Sequence, residues 1–501
     1  MQWYPARVGF FANHTRHAQL RLFTPVPPHM LPEMIAPPLD RRLKVLLVNP
    51  GPEPAPGDRN LPMGLLALAA STRLEHDVRI RDWIYERFDD EEFLKNIVDE
   101  GYDVIGLTSM TWQIHRSYEL LAKIKAVRPD VVTIMGGIHP SYMPQEVFDS
   151  GNVDFICNGE GEATFLEFLR VHFSGGDVSE VQGMWLKDET GKAFKTPPRA
   201  LVDLSQMPPP ARDLMPIEPT LADGSPNPEF NDMGGVMFSR GCSANCDFCA
   251  SPTFWRRNVR FRTVDQMVGE VEEIQQTYGV SAFGIHDDIF TANRKVLYEF
   301  CDRVKPLNIT YTCLARVDQM DEEKLVRMKN SGCVLVSYGV ESGNQEVLDI
   351  ENKKQKISRV KEIFALHHKH KVPVTALLIV GHVGETEPAL QDTYDLIDEI
   401  KPTWALCQIM SPYPGTALHF NGIAARTGTV LTWDWKDYVH QDRPIYVPKD
   451  LTPELMLQWR DKIRSLNPPD PEVVLNEWTS TYLWKQSAPD YQHEPPAHRR
   501  A

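Results

Sequence analysis

The feature that most constrains this chain is a repeated alternation of short apolar runs with helix-like stretches, occurring twice. The first series starts at Leu43. LKVLLVNP (43–50) is a continuous apolar run ending in Asn-Pro, as a buried parallel strand reads. PMGLLALAASTRLEHD then enters a helix, DVRIRDW (77–83) is a second strand, and DDEEFLKNIVDEG (89–101) is a helix closed by Gly101. A third strand at 103–110, the helix SYELLAKIKAVRP, a fourth strand at 131–137, and a strand, glycine turn and helix over 154–169 complete the series. Such spacing predicts an α/β fold, a doubly wound parallel sheet with helices on both faces. Ligands bind such sheets beyond the carboxyl ends of the strands. The candidates there are Pro62–Leu65 with Gly64, Thr108–Thr111 with Ser109, Gly136–His139 with Gly137, and Gly159–Glu162 with Glu160 and Gly161.

Residues 174–233 change character, with GGD, TPP, MPPP and SPNP; they read as a linker with a small hairpin near MWLKDETGKAFKT. The second series predicts strands at 235–240, 282–287, 310–316, 334–341, 374–381 and 403–410. Helices fit at 263–278, 293–305, 321–330, 344–350, 357–370 and 386–400. Six β/α steps suggest a partial β/α barrel, with its site at the carboxyl ends of the strands. The organisation expected is an irregular arm (1–42), a first α/β domain (43–173), the linker (174–233), the partial barrel (234–420) and a small, mainly helical C-terminal region (421–501). That last region has a helix at 452–465 and a loose polar tail from 486.

A chain of 501 residues exceeds one ordinary core, so two or three domains are expected. With 42% hydrophobic and 24% charged residues, it reads as a globular protein. No apolar run is long enough to span a membrane, and the N-terminus lacks the features of a secretory signal, so the expected compartment is the cytoplasm. A net charge of −15 argues against nucleic acid as a partner and leaves a small-molecule substrate.

Chemistry concentrates at SRGCSANCDFCA (239–250), where Cys242, Cys246 and Cys249 follow a predicted strand. Thiolates suit zinc and iron–sulfur clusters. Structural zinc wants four ligands, and the following SPTFWRRNVRFR offers no fourth. Three thiolates on a 4Fe–4S cluster leave one iron open, whereas an electron-transfer cluster takes four. Cys157, Cys301, Cys313, Cys333 and Cys407 read as small buried apolar residues, and no disulfide framework is expected.

With CxxxCxxC after the first barrel strand and Phe248 before the last cysteine, the chain resembles the radical S-adenosylmethionine (SAM) superfamily. Further matches are His286-Asp287-Asp288-Ile289-Phe290-Thr291, Tyr338-Gly339-Val340-Glu341-Ser342-Gly343, Gly381-His382-Val383-Gly384-Glu385-Thr386 (Val where Pro is usual) and Pro412-Tyr413-Pro414-Gly415-Thr416. The resemblance implies a 4Fe–4S cluster on the three cysteines whose open iron is chelated by SAM. Reduction then cleaves SAM to a 5′-deoxyadenosyl radical that abstracts hydrogen from an unactivated carbon. It implies Asp287 or Asp288 for the SAM ammonium, Arg316 for its carboxylate, Glu341 for its ribose, and Gly381 and Gly384 for close approach to the adenosine. For each, the alternative is a rim residue of a barrel. An electron donor such as flavodoxin or ferredoxin follows as a partner.

The first domain resembles the cobalamin-binding domain of cobalamin-dependent radical SAM enzymes, on VLLVNP (45–50), PMGLLALAA (62–70), RIRDW (79–83), GLTSMT (106–111), GGIHPS (136–141) and GEGE (159–162). Pro62, Gly64, Ser109, Gly136, Gly137, Glu160 and Gly161 are its implied cobalamin contacts. The chain departs from many cobalamin proteins in reading NPGPEPAPG after the first strand, with no histidine for cobalt. His139 either approaches the lower face of the corrin or simply supports its turn. Trp255, Arg256 and Arg257 line the pocket or pack the barrel mouth. Trp433, Trp435 and Tyr438 cap the site or pack. His367, His368 and His370 read as solvated surface near a helix C-terminus rather than a metal site. The function expected is cobalamin-dependent methylation of an unactivated carbon or a phosphinate. FWRR and GGIHPSYM also resemble the anaerobic porphyrin cyclases, so oxidative cyclisation or rearrangement without methyl transfer is the alternative. A non-catalytic iron–sulfur or zinc protein is the third reading.

Overall fold

The computed structural model describes residues 34–51, 60–86, 89–220, 225, 227–438 and 443–467. Most of the expected irregular arm, and the tail from 486, lie outside these residues. The first sheet holds β1 (Lys44–Asn49), β2 (Asp77–Asp82), β3 (Val104–Thr108), β4 (Val132–Gly136), β5 (Phe155–Cys157), β6 (Met184–Lys187) and β7 (Ala193–Lys195), in the order β2-β1-β3-β4-β5-β6-β7. β1 to β5 pair in parallel, while β6 and β7 add an antiparallel edge. β1 lies inside the sheet, which is why five of its six residues are buried. Caps fix the intervening helices: Asp89 accepts from Glu92 N, and Gly101 closes Asp90–Glu100 at φ 64°.

The segment 174–233 is more than a linker. Its hairpin completes the first sheet, because Met184 and Leu186 alternate into the core. Ala211, Met215 and Ile217 are buried in a core continuous with both halves.

The second sheet runs β15-β14-β13-β12-β11-β8, all parallel and in chain order, as an unclosed barrel does. Its strands are β8 (Gly235–Val236), β11 (Ala282–Ile285), β12 (Thr310–Ala315), β13 (Cys333–Glu341), β14 (Val374–Val380) and β15 (Trp404–Ile409). The expected strand 235–240 is split, because Phe238 N donates to Asp287 rather than to a neighbouring strand. β9 (Ser239–Arg240) pairs instead, antiparallel, with β10 (Arg260–Phe261), closing the base of the cysteine loop.

Among the described residues the C-terminal region is helical at Ile423–Thr427, Trp435–Asp437 and Pro453–Arg464. It also carries a two-stranded ribbon, β16 (Gly428–Val430) with β17 (Tyr446–Pro448), ahead of the helix Pro453–Arg464. That helix covers the outer edge of β15, where Asn467 pairs with both backbone groups of Ala405. Trp435, Tyr438 and Ile445 join the core on the other face of the first sheet, beside Phe93, Leu121 and Phe148. The histidine reading is also corrected. His367 is fully buried, bonded to Tyr338 Oη at 2.9 Å and Val372 O at 3.0 Å, because its helix turns that face inward.

Candidate active site

The loop from Gly241 to Asn258 leaves the first strand of the partial barrel and carries all three clustered cysteines. Cys246 is buried and Cys242 and Cys249 are half-buried, all as free thiols. Burial pushes the three thiols up, to about 12 at Cys249. At Cys242 the Arg316 guanidinium opposes that rise, and at Cys246 the charges of Lys353 and Arg316 do. Thiols held this way are poor free nucleophiles, and become thiolates through metal coordination. A polynuclear cluster takes its thiolates on separate irons, and the flanking cations suit its negative charge. The donor set therefore fits an iron–sulfur cluster.

The loop is anchored from the ends of the neighbouring strands. Asp288 accepts from Gly241 N at 3.1 Å and Ser251 Oγ at 2.6 Å, gripping both sides of the cysteines. Asp287 turns inward, accepting from Phe238 N at 2.7 Å and Ser239 Oγ at 2.6 Å. Burial lifts its carboxyl to about 7. Both aspartates thus position the loop, and Asp287 is too enclosed to face a ligand.

Around them stands a set of buried charged groups in which Glu341 and Arg316, expected from the sequence, meet Lys353 and Asp318, while Glu351, likewise not singled out in the sequence, meets His382. Glu341 ends β13 at φ 66° beside a register shift, and its carboxylate pairs with Lys353 Nζ at 2.7 Å. A Cβ on Gly339 would sit 2.2 Å from that carboxylate, so a side chain there would have to displace the pair. Arg316 donates to Asp318 at 2.9 Å and to Lys353 O at 3.0 Å, joining the two turns. After β14, Glu385 accepts from Gly381 N and His382 N at 2.6 and 3.2 Å. Gly381 and Gly384 carry φ 98° and 73° there. His382 is fully buried, with Nδ1 3.3 Å from Glu351 Oε1 and its ring edge-on to Phe248 of the cysteine loop. Burial would lower its pKa, but the hydrogen bond and charge of Glu351, with Glu385 and Glu341 behind, raise it to about 9. Glu385 was legible as part of a motif, but buried pairing leaves no mark on a sequence.

The carboxyl ends of the first sheet are bare by contrast. A Cβ on Gly137 would lie 2.7 Å from Ser109 O, whereas one on Gly64 or Gly159 meets nothing within 4 Å. Gly136 and Gly161 lie close to Cys157, and Pro62 precedes the helix Met63–Thr72. Open glycine-lined backbone of this kind fits a flat, bulky ring. Two expected contacts are corrected. Ser109 is buried, its hydroxyl spent on Met110 O and Ser117 Oγ. Glu160 points to the other half, accepting from Arg240, Arg260 and Val202 N. His139 is enclosed between Thr111, Glu146 and the Trp435 ring, where it supports its turn. The NPGPEPAPG loop lies largely outside the described residues.

Aromatic rings link the two sets of strand ends. Phe254, just after the cysteines, meets Tyr142 at 6.5 Å, and Tyr142 meets Phe420 at 5.5 Å. His419 continues the series to Trp433 at 5.2 Å. Phe420 and Trp433 stay 48% and 47% exposed, so this wall has an open side. Trp435 and Tyr438 pack rather than cap, with Trp435 Nε1 donating to Glu146 at 2.7 Å.

Comparison with known proteins places the same two halves. The Radical SAM superfamily matches residues 236–397, and the B12 binding domain matches residues 56–169. An uncharacterized methyltransferase of Pyrococcus horikoshii is 32% identical over 426 residues, covering 82% of this chain and 89% of that protein. Cytidylyl-2-hydroxyethylphosphonate methyltransferase of Streptomyces wedmorensis is 29% identical over 451 residues, covering 77% and 83%. Among solved structures, the radical S-adenosylmethionine methyltransferase TsrM of Kitasatospora setae, with cobalamin and a [4Fe-4S] cluster bound, superposes with a TM-score of 0.68. It shares 16% identity and covers 86% of this chain and 92% of that one, a likeness of fold.

Proposed function

Because this chain belongs to the cobalamin-dependent radical SAM methyltransferase family, an enzyme family whose cofactors are a 4Fe–4S cluster, SAM and cobalamin, we propose that it methylates an unactivated carbon or a phosphinate of a small molecule. When bound, the cluster and SAM supply a 5′-deoxyadenosyl radical and cobalamin carries the methyl group. Cys242, Cys246 and Cys249 hold the cluster, Asp288 fixes their loop, Arg316 pairs with the SAM carboxylate and Glu341 takes its ribose hydroxyls. Gly381 and Gly384 let the adenosine approach backbone. Pro62, Gly64, Gly136, Gly137 and Gly161 form the bare surface for the corrin.

The observation that supports this most is the aromatic bridge from Phe254 to Tyr142 and Phe420, which brings the strand ends of both halves to one place. Its half-exposed rings suit an apolar, ring-bearing substrate held away from water. A soluble electron donor such as flavodoxin or ferredoxin, in the cytoplasm, completes the reading; no helix among the described residues is long and apolar enough to cross a membrane.

The test is anaerobic reconstitution with iron, sulfide and hydroxocobalamin, followed by SAM and dithionite. Iron, bound cobalt, 5′-deoxyadenosine and S-adenosylhomocysteine together are expected. Replacing all three cysteines by alanine should remove the iron and the 5′-deoxyadenosine while cobalt is retained. A product oxidised but not heavier by a methylene would replace methylation with cyclisation. Zinc without sulfide would sink the reading.

A further inference from the structure

The base of the cysteine loop has a problem that its own half of the molecule does not solve. β9 and β10 pair antiparallel with Arg240 directly opposite Arg260. Like charges facing each other across a two-stranded ladder repel, and among the described residues no other strand pairs with this ladder. Both guanidiniums are nearly buried, at 11% and 14% side-chain exposure, so solvent does not screen them.

The neutralising charge arrives from the other half. The turn after β5, at Gly159 with φ 80°, delivers Glu160 between the two arginines. Glu160 Oε1 accepts from Arg240 Nη1 at 2.7 Å and Arg260 Nη2 at 3.0 Å. Its Oε2 accepts from Arg260 Nη1 at 2.9 Å and Val202 N at 3.0 Å. Glu162 takes the second amino group of Arg240 at 2.6 Å. Both guanidiniums also lie 5.8 Å from the Trp255 ring, which belongs to the loop itself. Four hydrogen bonds use the lone pairs of the Glu160 carboxylate, leaving none for another ligand.

We propose that Glu160 and Glu162, although carried by the cobalamin-binding half, are positioning residues of the cluster loop: they hold its two ends together and set its place relative to the first sheet. The segment between Arg240 and Arg260, with the three cysteines, is closed at this junction and gripped a second time by Asp288 at Gly241 and Ser251. Burial works against ionising Glu160, yet the charge of Arg240 and the bonds and charge of Arg260 hold its carboxyl below the usual range. The inference rests on the cysteines holding the cluster; a wild-type protein without iron would expose failure of that premise before any variant is compared.

The experiment uses the full reconstituted chain with Glu160→Gln, Arg260→Gln and the pair combined. Hydroxocobalamin affinity is read by visible titration. The reduced cluster is read by its electron paramagnetic resonance spectrum and midpoint potential. Glu160→Gln should change the cluster spectrum and potential while cobalamin affinity stays within about twofold of wild type. Arg260→Gln should produce the same change from the opposite side, and the double variant should add little to either single one. A tenfold loss of cobalamin affinity with an unchanged cluster would overturn the proposal, making Glu160 a corrin contact. Unchanged cluster readouts in both single variants, or fully additive effects, would overturn it as well.

Discussion

The two sheets present opposite chemistry at equivalent places. Beyond the strands of the first, side chains are withheld: Gly64 and Gly159 face open space, and Gly137 presses against the Ser109 backbone. Beyond the strands of the second, ionised side chains crowd together as buried pairs, Glu341 with Lys353 and Glu351 with His382. The difference matches what each must hold. A rigid macrocycle is accommodated by clearing space, whereas a small zwitterion is bound by charges already fixed in position. Fixed charges stay affordable only when each buried ion keeps a partner.

The comparison breaks first, and most severely, at Gly137. Gly137→Val forces a branched side chain onto backbone at φ 100° and should cost about 3 kcal/mol or more in urea unfolding. A mild effect would mean that this turn adapts. On the charged side, His382→Gln should cost about 3 kcal/mol near neutral pH, since it leaves Glu351 and Glu385 buried without their cation. Its sign with pH is fixed by the raised pKa. Stability supplied by the imidazolium is complete below its ordinary value and is lost as pH rises through about 9. The melting temperature of cluster-free wild type should therefore fall above pH about 8, and that of the variant should not follow it. Parallel curves would show that His382 is neutral.

Smaller effects sharpen the contrast by separating the cofactors. Glu341→Gln should weaken SAM binding about tenfold by equilibrium dialysis, roughly 1.4 kcal/mol, with cobalt content unchanged. Equal loss of both ligands would mean general damage to the site. Gly64→Ala is the mildest change. It lies in an open helical turn, so the fold should gain about 0.5 kcal/mol while cobalamin binds a few-fold more weakly. Unaltered cobalamin affinity would remove Gly64 from the corrin surface.

Much of this architecture was legible because strand and helix periods are local signals. β13 and β14 fall where their apolar runs end, and the helix Ile357–His370 has the bounds its pattern predicts. The cysteine loop was legible for the same reason, its spacing being contained in a few residues. What escaped depends on partners distant in the chain. Glu160 reads as one of several acidic residues near glycine until Arg260 comes to meet it. Ser109 and Asp287 sit in motifs suggesting exposure, but their hydroxyl and carboxylate are taken by neighbours the sequence does not announce. His367 shows the same limit, since the Tyr338 hydroxyl that meets its inward-pointing imidazole lies 29 positions away in the chain.

The Trp435–Glu146 hydrogen bond joins residues 289 positions apart, and Trp435, Tyr438 and Ile445 complete the core on one face of the first sheet. During synthesis the first α/β half leaves the ribosome with that core lacking these three side chains, and it stays so until the whole barrel has been translated. The nascent half must wait with exposed apolar surface, where it is open to capture by chaperones or to aggregation. Stop codons or frameshifts just before Trp433 should therefore damage the half that was made first.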